Sequence, residues 1–224
     1  MTIIEVFEKR IIKNGLSEED FMEYEKLLKQ VRGNFLRLQH CYTTAAQFPQ
    51  KRSAEAIRLI EWGLEKYPDS WFPTYFAYYN MGLINENCGK YATAYEAYQK
   101  AADVLDEDKK SYRQTISGNL LWMLLHIDGF QYSEQLERYY DLFAEIDDFE
   151  KAFINNEFRL AVAEIVIFSH KQMREKATAS YKKAIELCKP NFVSRIQSVL
   201  DKHNMKDILR NTPECRAFLK TVRV

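Results

Sequence analysis

The chain has 224 residues and balances 32 Lys and Arg against 32 Asp and Glu, so no net field draws it to nucleic acid or to an anionic membrane. About 70 to 75 per cent of the unfolded surface of a chain this long can be buried. With only 7 Gly and 5 Pro, the composition excludes a fibrous or disordered chain and calls for neither metal nor disulfide to complete a core. Cys41, Cys88, Cys188 and Cys215 show no C-x-x-C spacing and read as free thiols.

Helical periodicity runs almost the whole length, without a period-2 strand. Residues 2–13 are amphipathic through Ile3, Phe7 and Ile11 and stop at Asn14-Gly15, where a left-handed cap forms easily. Glu5 and Glu8 interrupt the apolar run a signal peptide needs, so a cytoplasmic protein is expected. Ser17 and Asp20 have capping-box spacing and open a second helix, which the pattern carries past Gly33 toward Phe48-Pro49. Helices are then predicted over 53–67, 71–87, 91–105, 111–127, 133–146, 149–169, 174–188 and 191–203. A last one opens at Thr212-Pro213-Glu214. Turns fall at Pro68-Asp69, Gly89 and Asp128-Gly129. The most apolar stretches, 120–127 and 160–168, are too short to span a bilayer, and the second carries Glu164. About eleven helices result, and the fold class is all-α.

One small pattern recurs along these helices: Ala56-Ile60-Gly63, Ala94-Tyr98-Ala101, Leu136-Tyr140-Phe143 and Ala177-Tyr181-Ala184. The segment Tyr78-x-x-Met81-Gly82-x-x-Asn85-x-x-x-Gly89-x-Tyr91-x-x-Ala94-x-x-x-Tyr98-x-x-Ala101 resembles the tetratricopeptide repeat (TPR). Ala56, Ile60, Gly63 and Pro68 match the second half of a preceding repeat. The resemblance implies an α-α superhelix, a right-handed stack of antiparallel helical hairpins forming a single domain over 1–224. Helices over 1–33 would precede four hairpins over 34–190, and capping helices would occupy 191–224. Equivalent positions lie 38, 42 and 41 residues apart, beyond the family period of 34, so helices or loops are longer than standard. Close packing gives the pattern its physical sense: Ala94 and Ala101 are contact points, and Tyr98 is a plug against the neighbouring hairpin.

In that family the first helices of the hairpins line a concave groove that binds peptides or helices. Carried onto this chain, the groove takes Leu38, Cys41 and Ala45 from the first hairpin and Phe76, Tyr79, Leu83 and Glu86 from the second. Leu121 and Leu125 follow from the third hairpin, Val162 and Val166 from the fourth. A surface this apolar is covered either by the chain's own last helix, through Cys215, Phe218, Leu219 and Val222, or by a partner protein or peptide; a homo-oligomer is a further occupant. Trp71, Phe72, Tyr75, Phe76, Tyr78 and Tyr79 cover more faces of one helix than a core stripe requires, which adds Tyr75 to the candidates. Asn80 alone matches the Lys and Asn clamp with which some family members grip a terminal carboxylate, so it reads as a polar groove residue. The partner-binding candidates are Tyr75, Phe76, Tyr79, Asn80, Leu83, Glu86, Leu121 and Leu125.

No catalytic residue, metal ligand or cofactor is assigned. His40, His126, His170 and His203 sit on four helices without H-x-x-x-H or E-x-x-H spacing, and neither G-x-S-x-G nor a Gly-rich phosphate loop occurs. The acidic runs Asp106-Glu107-Asp108 and Asp147-Asp148-Glu150 fall at turns, where they cap the following helix. A protein- or peptide-binding scaffold is therefore expected. The alternatives are an enzyme assembled from scattered residues, which needs convergent titratable groups, and a helical-repeat nucleic-acid binder, which needs Lys and Arg along one face.

Overall fold

The structure, a computed structural model, describes residues 2–127, 133–146, 154–187 and 216. Every regular element among them is helical: α1 (Ile3–Asn14), α2 (Glu18–Leu28), α3 (Asn34–Ala45), a 3-10 turn (Gln50–Arg52), α4 (Ser53–Lys66), α5 (Trp71–Asn87), α6 (Tyr91–Asp103), α7 (Lys110–Leu124), α8 (Glu134–Ala144), α9 (Ile154–His170) and α10 (Arg174–Leu187). The protein is all-α. It divides into two compact units, 1–109 and 110–224. The helix expected over 191–203, the turn at Asp128-Gly129 and the acidic run at 147–150 lie outside the described residues. Of the last expected helix, only Arg216 is described.

In the first unit local signals set the helix ends. The Thr2 hydroxyl accepts from the Glu5 N–H while the Glu5 carboxylate accepts from the Thr2 N–H, and Gly15 at φ 106 closes α1. Ser17 and Asp20 make the reciprocal box at the start of α2, as their spacing predicts. The second predicted helix does not run on toward Phe48. It ends at Leu28, and Gly33, at φ 82, precedes a new helix, α3. Arg37 makes this break tenable: its Nε donates to the carbonyls of Leu28 and Val31, both at 3.0 Å, satisfying acceptors that an interrupted helix leaves open.

Three hairpins follow, α1 with α2, α3 with α4 and α5 with α6, and α5 also packs on both α3 and α4. One core joins them, built on Phe7, Ile11, Tyr24, Leu28, Leu38 and Ile60. Two glycines set how closely the helices approach. A Cβ on Gly63 would come within 2.7 Å of Cys41 Cβ, and a Cβ on Gly82 would overlap the Tyr98 ring. Tyr98 thus fills a notch in its own hairpin, a different role from the expected plug against a neighbour. Ala94, Tyr98 and Ala101 are all fully buried, so the recurring triplet serves packing.

The second unit repeats the device with other residues. Hairpins α7/α8 and α9/α10 form, and α9 packs on α7 and α8. Here Gly118 makes the notch: a Cβ would stand 2.5 Å from the Phe143 ring. Leu136, Phe143, Ala177 and Ala184 are buried. Midway along apolar α9, the Glu164 carboxylate accepts from Tyr140 Oη of α8 at 3.0 Å and from Ser180 Oγ of α10 at 2.7 Å, which ties three helices together through one partly buried acid.

Candidate interaction surface

Helix α5 is apolar on every side, and of its 17 residues only Asn87 is exposed. Such a helix belongs between other helices, and α3, α4 and α6 bury Tyr75, Ala77, Met81 and Gly82. What remains is a half-buried strip. Phe72 stacks on Phe35 of α3 at 5.8 Å between ring centroids and meets Phe76 edge-on at 4.9 Å. Phe76 in turn contacts Tyr42 at 6.2 Å and Tyr75 at 5.1 Å. Tyr79 stacks on Tyr75 at 5.8 Å and reaches Tyr98 of α6 at the same distance. A ladder of rings therefore crosses from α3 through α5 to α6, and Phe35, Phe72, Phe76 and Tyr79 are its half-buried members. Rings locked edge to edge lose little entropy on contact with a ligand and offer broad apolar faces.

The eight candidates fall into four groups. Phe76, Tyr79 and Leu83 are half-buried on one helix. Tyr75 is 2% exposed, so it backs the ladder and presents no face of its own. Asn80 and Glu86 are engaged internally: Asn80 Nδ2 donates to the Phe76 carbonyl at 2.7 Å, and Glu86 Oε2 accepts from Tyr98 Oη at 2.6 Å. Leu121 and Leu125 belong to the other unit and are buried, at 0% and 1% exposure. The remaining expected lining residues, Leu38, Cys41, Ala45, Val162 and Val166, are also buried. The reason is plain on α3, where Leu38 and Cys41 occupy the notch at Gly63. The ring partners Phe35 and Tyr42 escaped sequence reasoning, although their i, i+7 spacing on one helix face was a usable signal.

A second polar assembly, also unforeseen, joins α1, α2 and α3. The Glu8 carboxylate accepts from Tyr24 Oη at 2.6 Å and lies 2.8 Å from His40 Nδ1, while Thr44 Oγ1 stands 3.4 Å from the Tyr24 hydroxyl. Burial works to raise the pKa of Glu8, but hydrogen bonds from His40, Tyr24 and Thr44 outweigh it and hold the carboxyl below its ordinary range. Burial, reinforced by Cys41 and Glu8, pushes the Tyr24 phenol far above its usual range, and burial does the same to the Cys41 thiol. A thiol held protonated is a poor nucleophile. The cluster fastens α1, α2 and α3 to one another.

No three His, Cys, Asp or Glu among the described residues are arranged to hold a metal ion, and no helix among them is long and apolar enough to cross a membrane. A groove of about 610 Å³ beside α7 and α8 is lined by charged side chains from Arg113 to Glu145 with Leu142 as the apolar member. Comparison of the chain with models of protein families, with curated proteins and with solved structures yields no match.

Proposed function

We infer that this protein is a non-enzymatic scaffold of stacked helical hairpins, similar to tetratricopeptide-repeat proteins, that binds an apolar or aromatic segment of a partner protein or peptide along α5. The observation that carries the reading is the half-buried ring ladder from Phe35 to Tyr79. The superhelical arrangement is part of the same proposal, supported by the recurring small-residue pattern and by the glycine notches at positions 63, 82 and 118. Charge balance argues against nucleic acid as the ligand, and at the Glu8–His40 junction burial holds the neighbouring Cys41 thiol protonated.

The test is selection of displayed peptides against the full chain. Apolar and aromatic sequences should be enriched, and their affinity should fall at least about tenfold for a Tyr79→Glu, Leu83→Glu double variant. Unchanged affinity in a variant whose helicity matches the parent would overturn the assignment of the α5 surface. Concentration-dependent association of the protein, abolished by the same variant, would instead identify a second copy as the occupant.

A further inference from the structure

A different chemistry occupies another surface of the first unit, where α2 and α4 lie side by side. An open groove of about 580 Å³ there has an apolar floor. The Phe21 and Trp62 rings are 5.3 Å apart, and Met22 stands beside them with 61% of its surface exposed. Trp62 is fixed from beneath by Tyr24, stacked at 6.2 Å, and by Tyr67, edge-on at 5.6 Å. The rim is acidic: Glu18 and Glu25 come from α2, and Glu61 and Glu65 from α4. Arg58 and Lys66 also line the groove, leaving carboxylates in excess.

The groove already contains an example of what it accepts. Arg58 pairs with Glu18 and lays its guanidinium 4.7 Å over the Phe21 ring. A cation is thereby neutralised by a rim carboxylate while its flat face rests on the aromatic floor. Glu25 is paired with Lys29 at 3.3 Å. Glu61 and Glu65 have no ion pair among the described residues; both are exposed and lie one helical turn apart on α4.

We propose that the α2/α4 groove docks a basic segment of a partner protein. Two Arg or Lys side chains one helical turn apart engage Glu61 and Glu65, and an apolar side chain between them rests on Met22 and Trp62. The excess negative charge draws the segment in and fixes its polarity, and the apolar contact holds it. None of the α5 rings contributes, so this site stands or falls apart from the surface described above. Because rim charges act through solvent, binding weakens as salt rises.

The test uses the full chain and a short fluorescein-labelled peptide with arginines spaced one helical turn apart around a leucine, read by anisotropy at low and physiological salt. The parent protein should bind it, and a Glu61→Lys, Glu65→Lys variant should bind at least about tenfold more weakly. A Met22→Ser variant, altered at an exposed position that leaves the core intact, should also lose affinity, and Tyr79→Glu should leave it unchanged. Failure of the parent to bind, equal binding by the charge-reversed variant, or equal binding of a peptide with glutamate in place of arginine would each overturn the proposal. Displacement by spermidine at matched charge would overturn it too, since the polyamine has no side chain for the apolar floor.

Discussion

Helices α5 and α9 are each 17 residues long, each opens a hairpin, and each is apolar on nearly every side. They solve that condition differently. Helix α9 buries branched and small side chains, Val162, Ala163, Ile165 and Ile167 among them, and its Glu164 is tied down by Tyr140 and Ser180. Helix α5 encloses the Tyr75 ring among its neighbours but leaves the Phe72, Phe76 and Tyr79 rings half-buried. Similar overall hydrophobicity thus yields a core element in one unit and a half-buried strip of rings in the other. The half-buried rings, more than apolar content, make α5 the candidate for binding.

That contrast can be broken most severely by placing a charge on each helix. Val162→Glu puts an unpaired carboxylate at a fully buried position and should cost more than about 4 kcal/mol, enough to unfold the second unit. Leu83→Glu, at a half-buried position of α5, should cost about 1 kcal/mol or less. Urea titration followed by circular dichroism reads both, and equal costs would erase the distinction between the helices. Next in size is Tyr98→Ala, which empties the Gly82 notch and removes the hydrogen bond to Glu86; a loss of about 3 to 5 kcal/mol is expected. Gly82→Ala, which fills the notch from the other side, should cost about 1 to 3 kcal/mol by overpacking. A cost near zero for Gly82→Ala would mean that the hairpin is not held at its closest approach.

The smallest effect is a pH dependence confined to the first unit. Glu8 is held below the ordinary carboxylate value of 4.5. Its contribution to stability is therefore complete above that value and is lost as pH falls through the lower folded one. The stability difference between the parent and Glu8→Gln should be constant just above pH 4.5 and shrink on further acidification. A difference that stayed constant on acidification would assign the effect of the substitution to shape.

Much of this architecture is legible in the sequence because it is local. The Ser17 and Asp20 box, the stop at Gly15 and the alternation of helices from Ser53 onward depend on neighbours within a turn. Ala94, Tyr98 and Ala101 declare themselves by spacing on a single helix. The break before α3 is hidden, because it is made tenable by Arg37 reaching back to the carbonyls of Leu28 and Val31. The burial of Leu38 and Cys41 is hidden for a similar reason: it depends on Gly63, a helix away. The polar junction of Glu8, Tyr24 and His40 draws one residue from each of three helices, and no spacing announces it. For the α5 surface, the helix and its rings were readable, whereas which rings would be left partly uncovered depended on packing against α3 and α6.

Photocrosslinking tests the central claim most directly. A benzophenone side chain replacing Tyr79, and in a separate protein one replacing exposed Ile185 on α10, would be irradiated in the presence of a peptide selected against the parent chain. Capture of the peptide from position 79 and none from position 185 is the predicted result. Capture from 185 alone would place recognition in the second unit and contradict the assignment of binding to α5.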